Sequence, residues 1–183
     1  HGLVEVQPRR GLHAVRAMPP VDLVAVHREN LVLRVAPFDL QRDLAPVVLC
    51  VKGANVLVIH PSLPAKNLKE LIALAKSKPG QLNYGTSGIA SSNHMAGELL
   101  NHMAGIKLNH VPYKGNAPAI TDLIGGHIEM SISGVPILVP HIKSNRVRAI
   151  GIGSLKRFPA IPDVPTFDES GLKGYEASTW FGL

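Results

Sequence analysis

One cysteine, Cys50, occurs in the 183 residues. The chain therefore closes no internal disulfide and builds no cysteine metal site, and its compartment is unreadable from redox chemistry. Aromatic residues are only 4% of it. The lysines and arginines are scattered, with no basic run or recognition motif, so a formal charge of +6 points to mild attraction for anions and not to nucleic acid. No apolar run reaches the length of a membrane span. The first residues lack the charged start, apolar stretch and small-residue cleavage site of an export signal, so none is expected in the chain as it stands. A phosphate loop ending in Gly-Lys-Ser/Thr and a Gly-x-Gly-x-x-Gly fingerprint are both missing, and no cofactor is expected. Lysine itself is absent before Lys52.

What is present suffices for a core, since 45% of the residues are hydrophobic. Residues 1–37 show no sustained period of either kind, although Val21 to Val26 and Asn30 to Val35 could each be an edge strand. From Phe38 the pattern becomes regular. Asn55 to His60 reads as a strand, Pro61 and Pro64 break it, and Asn67 with Glu70 three positions on resembles a capping box. Leu68, Leu71, Ile72 and Ala75 form one helix face before Pro79-Gly80. Gln81 to Tyr84 is the next strand; Met95, Leu99 and Met103 recur every four residues in a second helix that Gly105 ends. Ile106 to Val111 alternates as a strand, Asn116 can cap a third helix, His127 to Ser133 is extended, Pro136 to Lys143 is a short helix, and Arg146 to Ile152 is a last strand. This alternation predicts an α/β fold, a doubly wound, mostly parallel sheet with helices on both faces and ligands at the carboxyl ends of the strands.

The loops at that edge are Thr86 to Ser92, Tyr113 to Asn116 and Ser133 to Pro136. The first, rich in Gly, Ser and Thr, feeds a helix start whose leading N–H groups lack partners and carry the positive end of the helix dipole. A small acid suits it. The plainer alternative is that Ser91 or Ser92 is an ordinary N-cap and Gly88 an ordinary turn glycine.

Other chemistries fit less well. Gly85-Thr86-Ser87-Gly88 is no nucleophile elbow, because Ile89 stands where Gly-x-Ser-x-Gly needs its second glycine. His94, His102 and His110 recur every eight residues, about 12 Å along a helix, whereas a chelating pair needs i, i+4. They read as unrelated histidines. Lys114 lacks a visible neighbour that would depress its pKa, so it reads as a binding or solvent-facing lysine and not a reactive amine.

His110-Val111-Pro112-Tyr113-Lys114-Gly115, the Thr86-Ser87-Gly88 loop leading to His94, Leu123-Ile124-Gly125-Gly126, and the Arg157-x-Pro-x-x-Pro-x-Val-Pro-Thr stretch ending at Thr166 occur here in order. Together they resemble the substrate-binding proteins of tripartite tricarboxylate transporters, the Bug family, from about Phe38 to Leu183. The resemblance implies a two-domain, periplasmic-binding-protein-like receptor of the Venus-flytrap type, periplasmic and not enzymatic. Such a receptor closes over a small carboxylate, such as a di- or tricarboxylate, an acidic amino acid or an aromatic acid, and hands it to a membrane permease. Carried over residue by residue, Thr86, Ser87, Gly88, Ser91 and Ser92 match the family's carboxylate-binding hydroxyl loop, and Tyr113, Lys114 and Gly115 its second cleft loop. Ser133 stands where relatives usually carry an aspartate in Phe-Asp-Asn, which disfavours an amino-acid ligand unless that aspartate only caps a helix, a task serine shares.

The family's opening Pro-x-Gly-Gly loop and closing helical segment are not found. Residues 38–183 therefore read as the second domain with its crossover strands, roughly Ala45 to Leu49 and Glu176 to Phe181. Residues 1–37 read as a poorly matching segment, either frame-shifted or a remnant of the first domain, and the chain as half of a clamshell. Two alternatives remain: the ligand-sensing domain of a transcription regulator, for which residues 1–37 supply no helix-turn-helix, and a small α/β hydrolase.

Overall fold

The apolar run at 55–60 is the second half of a longer strand, β1 (Leu49–Ile59). The computed structural model describes residues 48–182; expectations for residues 1–47 lie outside them. Side chains alternate across a strand, and β1 uses this fully: Leu57 and Ile59 enter one buried cluster, Val56 and Val58 another. Its second half lies between β4 (Met130–Gly134) and β5 (Arg148–Ile152), antiparallel to both. Its first half pairs instead with β6 (Ser178–Gly182). The two strands expected at Ala45–Leu49 and Asn55–His60 are thus continuous over their described residues, because Lys52-Gly53-Ala54 holds no proline to break the ladder.

Helix α1 (Leu68–Ser77) starts as its sequence requires, with Asn67 Oδ1 accepting from Glu70 N–H at 2.9 Å. Glu70 reciprocates one residue further out than a capping box does, accepting from Lys66 N–H at 2.7 Å. Next come β2 (Asn83–Thr86), α2 (Ser92–Ala104), β3 (Asn109–Pro112), α3 (Asn116–Ile124) and α4 (Val135–Lys143). The strand order is β3-β2-β4-β1-β5, with β2 parallel to both β3 and β4. β2, β3, β4 and β5 run one way and β1 the other. Helices α1 and α2 cover one face and α3 and α4 the opposite face, which is the double winding the alternation predicts. After β2 the chain turns to one face and after β4, its neighbour, to the other. In such folds that reversal marks the carboxyl ends of the two strands as the place where ligands bind.

Two local expectations need correction. The buried stripe of α2 is not Met95-Leu99-Met103 but Ala96, Gly97, Leu100 and Ala104; Met95 is 59% exposed. Small residues win that face because the helix lies against Tyr84, and a Cβ on Gly97 would sit 2.3 Å from its ring. Leu99 and Met103 pack at the margin. Nor does Asn116 cap α3. Gly115, at φ 109° and ψ 173°, takes that position without a side-chain cap, and Asn116 is the first helical residue.

Candidate functional site

The loops after β2 and β3 are stitched together at the strand ends. Tyr113 N–H donates to Thr86 O and Gly115 N–H to Ser87 O, each at 3.1 Å. Asn93, in the first turn of α2 and only 5% exposed, donates through Nδ2 to Asn116 Oδ1 at 2.9 Å. The amino ends of α2 and α3 therefore lie side by side, and their positive dipole ends converge.

The site residues expected from sequence divide by how they are engaged. Thr86 is fully buried, with its hydroxyl 2.7 Å from His110 Nε2 and 3.3 Å from the Gly88 N–H that donates to it, so it shapes the turn. Gly88, at φ 143°, allows that turn, and its carbonyl accepts from the Ser91 hydroxyl at 2.8 Å. Ser91 is the N-cap of α2, accepting from His94 N–H at 3.2 Å, as the plainer alternative held for it. Ser87 is half-buried and receives one long bond, from Asn93 Nδ2 at 3.4 Å. Ser92 is exposed and lies 2.8 Å from the Thr179 hydroxyl of β6.

In the second loop, Tyr113 turns its ring over Gly85 and donates its hydroxyl to Asp122 of α3 at 2.8 Å. Burial and that carboxylate push its pKa up to about 12. Lys114 is exposed and makes no ion pair with a described residue. Ser133 stands apart near the end of β4, opposite Val56 of β1, with a fully buried hydroxyl that has no hydrogen-bond partner among the described residues. It does not cap α4, whose N-cap is Gly134 without a side-chain bond.

Unpaired donors face this edge. Ser91 satisfies His94 N–H, leaving the first-turn N–H groups of Ser92 and Asn93 without a described partner. Gly115 offers α3 no side chain, so Asn116 and Ala117 N–H are likewise unmatched, and Pro118 has none. Neither loop contains an acidic residue. The nearest along α2, Glu98, accepts from Tyr84 Oη at 2.6 Å. Four amides, two helix ends and a lysine without a carboxylate among them suit an anion. A groove of about 370 Å³ lies between α3 and α4, with Ala117 among its lining residues, and the strand-end site itself is an open wall.

Sequence reasoning missed Asn93, Thr179 and the histidines. Asn93 carried a usable signal, a polar residue in the first turn after a hydroxyl loop. Thr179, distant in sequence, carried none. His94 and His110, read as unrelated, stack with ring centroids 3.9 Å apart and planes 13° from parallel. The β2-α2-β3 crossover causes this by setting the first turn of α2 above β3, while His102 points to solvent. Desolvation first, and then the neighbouring His94, hold the His110 pKa below the ordinary 6.5, with Glu98 opposing weakly. A folded-state pKa below the unfolded one means that the unfolded chain binds the proton more tightly. This contribution is thus intact above pH 6.5 and erodes as pH falls through and below that value. Replacing His110 with glutamine, which can still reach Thr86, is expected to flatten the stability loss between neutral and mildly acidic pH in urea unfolding. An unchanged pH slope would refute it.

Residues 22–183 match the family described as tripartite tricarboxylate transporter family receptor. The chain belongs to this receptor family. It is 39% identical over 148 residues to the "UPF0065 protein in tcbD-tcbE intergenic region" of Pseudomonas sp. strain P51, an alignment covering 80% of this chain and 44% of that protein. It resembles the solved structure of Rpa4515 of R. palustris with adipate at TM-score 0.74 and 34% identity, over 81% of this chain and 50% of that one. It resembles periplasmic binding protein BugD at TM-score 0.70 and 35% identity, over 75% and 46%. The Bug resemblance and the periplasmic-binding-protein-like α/β lobe expected from sequence both hold. This family is one of receptors, not enzymes, and its members include periplasmic binding proteins. The match begins upstream of Phe38. The receptor chain spans about half the length of the curated relatives it matches.

Proposed function

We propose that this chain supplies one lobe of a solute receptor that binds a small carboxylate at the paired amino ends of α2 and α3. The observation that carries this reading is the set of unmatched amides of Ser92, Asn93, Asn116 and Ala117 on an edge free of acidic side chains. Ser87 and Lys114 add side-chain donors, Ser92 contributes its backbone amide while its hydroxyl is engaged by Thr179, Gly88 and Gly115 allow close backbone approach, and Thr86, Ser91 and Tyr113 hold the loops in place. Ser133 lines the end of β4, and a serine there offers no countercharge to a ligand amine. The adipate bound by a relative has two carboxylates and no amine, the chemistry this edge suits.

In this reading the described residues 48–182 belong to the second of two lobes, with β6 and the first half of β1 crossing to the other. The assembled receptor works in the periplasm, where it delivers its ligand to a membrane permease. One lobe supplies about half of the hydrogen bonds in such a cleft. Each charge-assisted bond contributes about 1.5–3 kcal/mol, so losing three weakens a micromolar site to beyond millimolar. Titration of the isotopically labelled chain with adipate, followed by NMR, is expected to shift the amides of Ser92, Asn93, Asn116 and Ala117 with weak affinity. Shifts confined to other surfaces would refute the site, and a dissociation constant at or below about 1 μM would refute the half-site argument.

A further inference from the structure

We infer that Asn93 sets the hydrogen-bond polarity of this site. It does so by turning the Ser87 hydroxyl and the Asn116 amide into donors aimed at the ligand. The inference rests on the carboxylate reading above and concerns what makes that edge prefer an anion. Asn93 is the one polar side chain of α2 held in the seam between the two loops, 5% exposed, and both of its recorded bonds are donations: Nδ2 to Asn116 Oδ1 at 2.9 Å and to Ser87 Oγ at 3.4 Å.

Each donation constrains its acceptor. A serine hydroxyl has one proton and two lone pairs, and a primary amide has an oxygen on one side and two N–H groups on the other. With a lone pair of Ser87 Oγ facing Asn93, the hydroxyl proton is directed away from that seam. With Asn116 Oδ1 bound to Asn93, the Asn116 Nδ2 group is turned away as well. Both leftover donors sit beside the unmatched backbone amides of the two helices, at the dipoles' positive ends. A carboxylate, which only accepts, meets donors throughout. The same backbone with the side chains reversed would mix donors and acceptors. Asn93 is thus a positioning residue for ligand class.

Two substitutions and a pair of ligands test this. Asn93→Asp keeps the size and suits the first turn of a helix, but a carboxylate can only accept. It draws the Ser87 proton and the Asn116 Nδ2 group inward and presents lone pairs to the ligand. Asn93→Leu removes the director without adding charge. Adipate and its neutral diamide are titrated against the native chain and each variant by NMR. Adipate is expected to weaken about tenfold in Asn93→Leu and by more than about a hundredfold in Asn93→Asp, while the diamide weakens little, so that the preference for adipate narrows in the first and reverses in the second.

A role confined to holding the loops together would weaken both ligands in parallel and leave their ratio unchanged, and that result overturns the inference. So does native adipate affinity in Asn93→Leu, which would assign the effect of aspartate to its charge alone. Failure of adipate to shift the four amides in the native chain would instead overturn the carboxylate reading, and this inference with it. Native adipate binding with an unchanged ratio would overturn this inference only.

Discussion

Replacing Ser87 with aspartate is expected to abolish carboxylate binding while leaving the fold as stable as before, or slightly more so. Ser87 directly follows β2, between the amino ends of α2 and α3, with its carbonyl bound by Gly115 N–H and its hydroxyl oxygen facing Asn93. A carboxylate there becomes an internal ligand. It accepts from Asn93 and meets unmatched helix N–H groups, an arrangement that contributes about 0.3–1 kcal/mol. An incoming acid then meets a like charge. Two charges about 4 Å apart repel by about 4 kcal/mol at an effective dielectric of about 20, close to a thousandfold in affinity. NMR titration with adipate and thermal unfolding of the same variant measure the two halves. Retained affinity would refute the site, whereas lost affinity with collapsed stability would show that Ser87 serves folding.

Ser91 provides the contrast. It is already the N-cap of α2, and aspartate caps about as well. The substitution there removes only the bond to Gly88 O. Of the two serines, Ser87 is therefore the sharper probe.

Replacing Gly97 with alanine is expected to destabilise the chain by about 2 kcal/mol, against the usual sign of this change. In an ordinary helix interior alanine is better than glycine by about 1 kcal/mol. Here the added Cβ would lie 2.3 Å from Tyr84 Cε2, 2.6 Å from Cζ and 2.8 Å from the hydroxyl. Tyr84 cannot move aside easily. It is fully buried, bonded to Glu98 at 2.6 Å and packed 5.0 Å from the His110 ring. Overpacking costs about 1–3 kcal/mol, occasionally more, and three contacts under 3 Å with a rigidly held ring put this site at the upper end, about 3 kcal/mol, which leaves about 2 kcal/mol after the propensity gain. A loss of about 2 kcal/mol lowers the melting temperature of a domain this size by about 4–8 °C. Since Tyr84 lies two residues before Thr86, the ring's displacement should also disturb the β2 loop, visible as NMR shifts at Ser87 and Gly88. A higher melting temperature for the alanine variant would show that α2 relaxes away from the sheet at little cost.

Much of this architecture was written in local patterns. The α1 cap at Asn67, the stops at Pro79-Gly80 and Gly105, and the alternation within β1 are decisions among residues a few positions apart, where one polar atom or missing Cβ settles the conformation. The α2 face was misjudged for the same reason in reverse. Periodicity of large residues marked Met95, Leu99 and Met103, but the partner across the interface was a tyrosine ring, which needed small residues opposite it.

For the site, sequence alone determined the hydroxyl-rich loop, its position between a strand and a helix, and the absence of acidic groups along it. Those are properties of consecutive residues. Tertiary structure decided which hydroxyls are free. Thr86 is occupied by His110, Ser91 by its own helix, Ser92 is met by Thr179 and Ser87 by Asn93. It also decided that the uncapped start of α3 lies against that of α2, and that β1, running opposite to its neighbours, carries its first half and β6 past the end of β4. A hydrogen bond has one donor and a short reach. Which of several chemically equivalent serines keeps a free proton therefore depends on partners brought within about 3 Å by folding, and no spacing along the chain encodes that distance.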